Sequence, residues 1–360
     1  MSRKALSAFL ALFLACGGVE ANSSGFTGST SPVSTTGPAS STGPELESSS
    51  STGEDSAAST SSSGGSDGPR LDMAVPDLGP GDSVGCQGKI DFLFVISTSN
   101  TMEPVQKQMM TSLPGFMATL AERFTEFDVR VLSAKPNAWW ALQDCASCLD
   151  EACDLNGVPP ACGVVPEPCD DQIGAGVTFP AGVDAANRRC DFFGGNRYIV
   201  GDEPDFAEAL ACVTQSGMNG ASAHTAEAMV AAISSEFNGP GGCNEGFLRD
   251  DALLVVTLMS DMFDQLSKGT VESWINALRT AKHGDDDAFA IIVLTTDVDV
   301  GYWQLCLPEM YSPIKNRLRL LVEGVEHGFI SSICEEDFSP FFAEAVDEIV
   351  ELCDGLVLPR

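Results

Sequence analysis

Basic residues are scarce in this chain of 360 residues, since 19 lysines and arginines stand against 51 aspartates and glutamates. The formal net charge at pH 7 is −32. Nucleic-acid binding depends on clustered lysine and arginine side chains that neutralise phosphates. The charge balance therefore argues against nucleic acid as a partner, and it predicts a surface of mutually repelling acidic groups.

The common catalytic and nucleotide-binding motifs are also missing. The chain contains no G-x-S-x-G, H-E-x-x-H, P-loop or G-x-G-x-x-G motif. Its three histidines, His224, His283 and His327, are isolated from one another in the sequence. We therefore predict that the protein is not an enzyme, and we expect no catalytic residues and no bound organic cofactor.

Long apolar runs are absent, and a short one lies near the start of the chain. Residues 5–15 follow Arg3 and Lys4 and fall short of the ~20 apolar residues that span a bilayer. This pattern is typical of an export signal that is removed. The Leu-Ala-Cys ending resembles a lipobox, which predicts cleavage before Cys16 and lipidation of Cys16; an ordinary signal peptide is the alternative. Gly17 is not the aspartate of inner-membrane retention, which favours the outer membrane or cell surface.

Composition divides the mature chain into a linker and one large domain. After the predicted signal peptide at residues 1–15, residues 16–85 consist largely of Ser, Thr, Gly and Pro. Such a segment buries too little apolar surface to offset the entropy of ordering, so we predict a disordered linker behind the lipid anchor. Residues 86–360 are long enough for a single domain with its own core.

Thirteen cysteines indicate an oxidising compartment. With Cys16 assigned to lipid, twelve remain, which is enough for six disulfides whose connectivity stays open. The stretch at about 140–200 is rich in cysteine, proline and glycine, and we interpret it as a disulfide-stapled insertion that Cys212 and Cys243 could join. Its cysteines are Cys145, Cys148, Cys153, Cys162, Cys169 and Cys190. The Cys145-x-x-Cys148 spacing also permits zinc, but no second such pair follows it.

Three continuous apolar runs, at residues 92–96, 253–258 and 289–294, predict central parallel strands that are covered on both faces. Apolar stripes at helical spacing lie between and after them, with Pro114-Gly115 expected to kink or split the first. Strands that alternate with helices predict an α/β fold with a doubly wound, mostly parallel sheet and helices on both faces. The stripes are Met109/Leu113/Phe116/Leu120, Met229/Ile233/Phe237, Val271/Trp274/Ile275/Leu278 and Phe342/Val346/Ile349/Cys353.

Three segments resemble von Willebrand factor type A (vWA) domains. KIDFLFVISTSNTM at 89–102 is similar to the first strand and D-x-S-x-S loop of that family, and VVTLMSD at 255–261 is similar to a later strand that ends in a metal-site aspartate. ASAHTAEAMVAAI at 221–233 resembles the family's G-G-T-x-T-A-E-A-L helix. The resemblance covers about residues 86–353 and implies a Rossmann-like vWA fold.

The resemblance implies a metal-ion-dependent adhesion site at Ser97, Ser99, Thr101 and Asp261. Ser97 replaces the leading aspartate, and the family's threonine position falls on Ala223, so we predict a degenerate site. Magnesium relies on one or two carboxylates. Two neighbouring carboxylates, Glu103 and Asp264, could substitute for the missing one; alternatively, the Ser99 or Thr101 hydroxyl only caps the following helix. Asp297-x-Asp299-x-Gly301 follows another strand and is interpreted as a solvated turn rather than a calcium loop.

The vWA resemblance implies a non-catalytic binding or adhesion module. We expect it to engage a protein or an extracellular polymer, without metal, through the insertion or nearby loops. One alternative is a structural, envelope-organising surface protein that has no discrete ligand. Another is metal-dependent adhesion through Mg²⁺ or Ca²⁺, if neighbouring carboxylates restore the site. The sequence does not predict the oligomeric state.

Overall fold

A six-stranded, mostly parallel sheet forms the centre of the described structure, with the order β3-β2-β1-β4-β5-β6. The computed structural model describes residues 85–124, 126–137, 166–182, 184–218, 224–296 and 316–357. All described residues belong to the unit Met73–Arg360. Several predictions fall outside the described residues: the signal peptide, the lipidated Cys16, the linker up to residue 84, Ala223, the Asp297-x-Asp299-x-Gly301 turn, and the cysteines at 145, 148, 153 and 162.

The strands confirm the predicted α/β class. Neighbouring strands pair in parallel except at one edge, where β3 is antiparallel to β2. Every residue of β4 and of β5 is buried, which explains why these strands are apolar without alternation. The strands are β1 (Lys89–Ile96), β2 (Asp128–Ala134), β3 (Ile199–Val200), β4 (Leu253–Met259), β5 (Phe289–Thr295) and β6 (Gly328–Ser332).

Helices cover both faces of the sheet and enclose two apolar cores. Helices α1, α2 and α7 contribute to one core, and α3, α5 and α6 contribute to the other. Helix α1 continues through Pro114, which lies on its exposed face, so Pro114-Gly115 does not split it. The helices are α1 (Glu103–Arg123), α2 (Phe206–Thr214), α3 (Thr225–Ala232), α4 (Ser235–Asn238), α5 (Val271–Ala281), α6 (Arg317–Glu323) and α7 (Ser339–Gly355). None of the described helices combines the length and the apolarity needed to cross a membrane.

Disulfides join distant parts of the described chain, as the cysteine count predicts. Cys86–Cys353 links the residues before β1 to the end of α7, across 267 residues. Cys169–Cys243 and Cys190–Cys212 connect the described part of the predicted insertion to later segments. Cys212 and Cys243 therefore do join the insertion's cysteines.

A buried ion pair lies near the amino ends of the strands. Asp91 in β1 is fully buried, and its carboxylate accepts from the Arg249 backbone N–H at 2.7 Å and from Arg249 Nε at 2.8 Å. Arg249 also pairs with Asp128 at 2.7 Å. Burial raises the pKa of Asp91 to about 6, and the Arg249 guanidinium opposes that rise.

Candidate functional site at the carboxyl edge of the sheet

The strand order predicts a crevice between β1 and β4, at the carboxyl edge of the sheet. The chain moves from β1 to β2 on one side and later returns to β4 on the other side of β1, so the order reverses there. In open α/β sheets, ligands bind outside the carboxyl ends of the strands at this reversal. The loop that follows β1 and the loop that follows β4 therefore flank the expected position for a ligand.

Two hydroxyls and a carboxylate meet at this point. Ser99 Oγ lies 2.9 Å and 3.0 Å from the two carboxylate oxygens of Asp261 and donates to the carboxylate. Thr101 Oγ1 also donates to Asp261, and the two hydroxyl oxygens are 3.1 Å apart. Thr101 is exposed, and Ser99 and Asp261 are partly exposed. The structure thus brings three of the four predicted site residues into one solvent-facing cluster.

Ser97, the fourth predicted residue, lies beneath this cluster. It is fully buried, its backbone N–H donates to the Met259 carbonyl at 2.8 Å, and its Oγ accepts from the Ser99 N–H at 3.4 Å. Gln106 Nε2 donates to the Ser97 carbonyl at 2.8 Å. Ser97 therefore braces the turn after β1, and its hydroxyl supplies no charge where the vWA pattern has a carboxylate.

The two carboxylates that could replace the missing aspartate both make other contacts in the structure. Glu103 pairs with Lys107 one turn along α1. Asp264 is buried and accepts from the N–H groups of Thr225 and Ala226 at 3.0 Å and 3.1 Å. Asp264 thus caps the start of α3 from the neighbouring loop, although burial raises its pKa to about 6.

Replacing Asp264 with alanine is expected to lower the free energy of unfolding by about 2–3 kcal/mol, because two helical N–H groups lose their acceptor. Asp264 also has φ +54°, a backbone conformation in which alanine is strained and asparagine is tolerated. Asp264→Asn should therefore cost clearly less than Asp264→Ala in urea unfolding at pH 7.5. Equal losses in the two variants would contradict this account of the residue.

The hydroxyls do not act as helix caps, which was the alternative interpretation of this loop. Ser99 precedes the short 3-10 turn Asn100–Met102, and its side chain makes no capping hydrogen bond to that turn. Helix α1 likewise begins without a side-chain cap. Both hydroxyls are instead directed to Asp261, which makes the cluster a feature of the crevice rather than of local helix geometry.

Sequence reasoning missed the polar residues that hold the crevice together. Gln106, on the buried side of α1, donates to the Gly217 carbonyl at 3.0 Å and accepts from the Gly217 N–H at 2.9 Å. Asn137, beyond the end of β2, donates to Thr98 Oγ1 at 2.9 Å. A glutamine within an apolar helical stripe was the one sequence signal for this network.

The cluster has too little negative charge for a divalent cation. Among the described residues of the two loops, Asp261 is the one carboxylate directed at the cluster, and both of its oxygens already accept from hydroxyls. Mg²⁺ keeps several waters and needs carboxylate charge to compensate for dehydration. One shared carboxylate and two neutral hydroxyls do not fit the ion that the vWA pattern implies.

Comparisons with known proteins give a structural likeness alone. No protein-family model matches the chain, and no curated protein matches it. Among solved structures, it is similar to two crystal forms of proximal thread matrix protein 1 from the mussel byssus. The first has 10% identity and a TM-score of 0.33 over 75% of this chain and 47% of that one, and the second has 11% and 0.35 over 74% and 49%. The chain thus spans about half the length of the structures it matches.

Proposed function

We propose that this protein is a non-catalytic, exported lipoprotein that presents a vWA-like binding or adhesion module independent of metal. The observation that supports this proposal is the position of Ser99, Thr101 and Asp261, which share the carboxyl edge at the reversal of strand order. That position suits a ligand for geometric reasons that do not depend on metal.

The chemistry of the cluster favours a ligand that donates hydrogen bonds. Asp261 offers a partly exposed carboxylate, and each flanking hydroxyl can exchange its present bond for one to a ligand. The net charge of −32 attracts basic partners and repels acidic ones. We therefore favour a protein, or an extracellular polymer, that presents a basic or amide group to Asp261.

The anchor and linker complete the proposal. A lipidated Cys16 would hold the chain to the envelope, and residues 16–85 would separate the module from the membrane surface. The disulfides of the described domain support an oxidising location. Attachment through a spacer and stabilisation by disulfides both suit a module that binds partners outside the cell.

Replacing Asp261 with asparagine is expected to weaken partner binding about tenfold or more, because a charged hydrogen bond contributes about 1.5–3 kcal/mol. The oxidised chain would be immobilised and exposed to envelope and extracellular-matrix extracts, with bound material quantified by mass spectrometry and glycan analysis. Asp202→Asn is the matched control, since it removes the same charge at an exposed position beyond β3.

A partner kept by the wild type and by Asp202→Asn, lost by Asp261→Asn and retained in a chelator, supports the proposal. Retention that requires Mg²⁺ or Ca²⁺ would replace it with metal-dependent adhesion. A structural protein without a discrete ligand would show no partner that distinguishes the two variants. Equal melting temperatures for both variants would establish that folding does not cause the difference.

A further inference from the structure

A second polar cluster surrounds His327 at the opposite, amino edge of the sheet. His327 directly precedes β6, and Asp287 belongs to the short 3-10 turn Asp286–Ala288 that precedes β5. One ligand-capable atom from each of Asp287, Glu326 and His327 lies within 4.8 Å of the other two. The His327 side chain is only 14% exposed, so its ring is held in place rather than free in solvent.

Both nitrogens of the His327 ring face carboxylates. Nε2 lies 2.9 Å from Asp287 Oδ1, and Nδ1 lies 3.7 Å from Glu348 Oε1 on helix α7. The His327 backbone is fixed as well, because its carbonyl accepts from the Ile291 N–H of β5 at 2.9 Å. His327 is therefore positioned by the 3-10 turn Asp286–Ala288, by β5 and by α7.

The charge of this cluster is not balanced by basic side chains. Within the described ranges, no lysine or arginine nitrogen lies within 4.0 Å of the carboxylates of Asp287, Glu326 or Glu348. Asp286, immediately before Asp287, is instead paired with Arg279 at 2.7 Å. Three carboxylates thus lie near one imidazole, which leaves a local excess of negative charge that a dication would neutralise.

We propose that His327, Asp287 and Glu326 bind a divalent transition-metal ion of the Zn²⁺ class. Zinc bonds of about 2.0–2.2 Å to nitrogen and oxygen place neighbouring ligand atoms roughly 3–3.5 Å apart. The His327–Asp287 pair already has nearly this separation, and the exposed Glu326 side chain is free to rotate inward.

The third carboxylate, that of Glu348, lies behind the proposed ligands. With Nε2 on the metal, the remaining ring proton lies on Nδ1 and faces Glu348 Oε1 at 3.7 Å, which is too long for a hydrogen bond. A small rotation of the partly exposed Glu348 side chain would bring the two atoms into the carboxylate–histidine–metal arrangement that orients such ligands. An imidazole combined with carboxylates selects zinc-like ions over Mg²⁺ and Ca²⁺, which prefer oxygen ligands alone. This site is separate from the Asp261 cluster and does not depend on the proposed function.

The test is a calorimetric titration of ZnCl₂ into the untagged, oxidised, metal-stripped chain, repeated with MgCl₂. We expect saturable zinc binding in the micromolar range that falls about tenfold or more in His327→Asn and in Asp287→Asn. His283→Asn is the matched control, because His283 Nε2 pairs with Asp250 at 2.9 Å but belongs to no three-ligand group among the described residues. Zinc should raise the melting temperature of the wild type and the control, but not of His327→Asn.

Equal affinity for Mg²⁺ would overturn the proposal in favour of general screening of an acidic surface. Zinc binding that survives in both His327→Asn and Asp287→Asn, or the absence of saturable binding, would also overturn it. Asp287 is 66% exposed, so Asp287→Asn retains the fold and keeps the test valid even if His327→Asn unfolds. Circular dichroism of each variant checks this point.

Discussion

Replacing Arg249 with glutamine is expected to lower the free energy of unfolding by about 3–5 kcal/mol at pH 7.5. The substitution removes the guanidinium from Asp91, which is fully buried, and an unpaired buried charge is costly. The loss should be much smaller at pH 5, because Asp91 can then be protonated and carries no charge. Urea unfolding at the two pH values measures both quantities.

The direction of the pH effect follows from the pKa of Asp91. Burial raises it to about 6 from 3.8 in the unfolded chain, so the folded state holds the proton more tightly. The contribution to stability is fully present below about pH 4 and is lost as the pH rises through about 6. Removing Arg249 raises the pKa of Asp91 further, so stability continues to fall to a higher pH and the total loss is larger.

Two further variants check that the charge is the cause. Asp91→Asn combined with Arg249→Gln should recover most of the stability at pH 7.5, because no unpaired carboxylate remains. Arg123→Gln removes an exposed pair with Asp347 and should cost less than about 1 kcal/mol. A pH-independent loss in Arg249→Gln would show that packing, rather than the buried carboxylate, dominates.

Replacing Cys86 and Cys353 together with serine is expected to cost up to about 5.5 kcal/mol, the largest loss among the bridges described here. The bridge closes 267 residues, and the chain-entropy contribution grows with the logarithm of the loop. The same relation gives about 4 kcal/mol for Cys169–Cys243 and about 3 kcal/mol for Cys190–Cys212, which close 74 and 22 residues. These are upper values, because the other bridges already shorten the free loop.

Denaturation of the three double-serine variants, under oxidising conditions, measures the order of the losses. Replacing both partners avoids a free thiol that could form a wrong bridge. A larger loss for Cys190/Cys212 than for Cys86/Cys353 would mean that native packing around each bridge outweighs the entropy of the unfolded chain.

The central buried strands could be predicted because the apolar pattern that identifies them lies within each strand's own sequence. Short runs that are almost entirely apolar identify β1, β4 and β5, since strands covered on both faces admit few polar side chains. In contrast, β6 reads GFISS and is only partly buried, and β3 has two residues. Their strand conformation depends on pairing with β5 and β2, which no local pattern records.

The candidate site also has one part that the sequence predicted and one part that it did not. That the loops after β1 and β4 meet follows from parallel topology, and the structure places Ser99 and Thr101 against Asp261. The role of Asp264 could not be read from its position near Asp261, because it depends on which helix begins beside it. Asp264 was a candidate ligand because it lies three residues after Asp261 in the sequence. In the structure it instead accepts hydrogen bonds from backbone N–H groups at the start of α3 and caps that helix.

The bridge between Cys86 and Cys353 also has a mechanical consequence. A tensile force applied through the residues that precede the domain would act first on Cys86, three residues before β1. Because of the disulfide, this force is shared between β1 and the end of α7. The carboxyl end of α7 therefore cannot separate from the residues before β1 unless this covalent bond breaks. A module held between an anchor and a partner would resist tension along its most buried strands, where the parallel neighbours of β1 shear together rather than unzip.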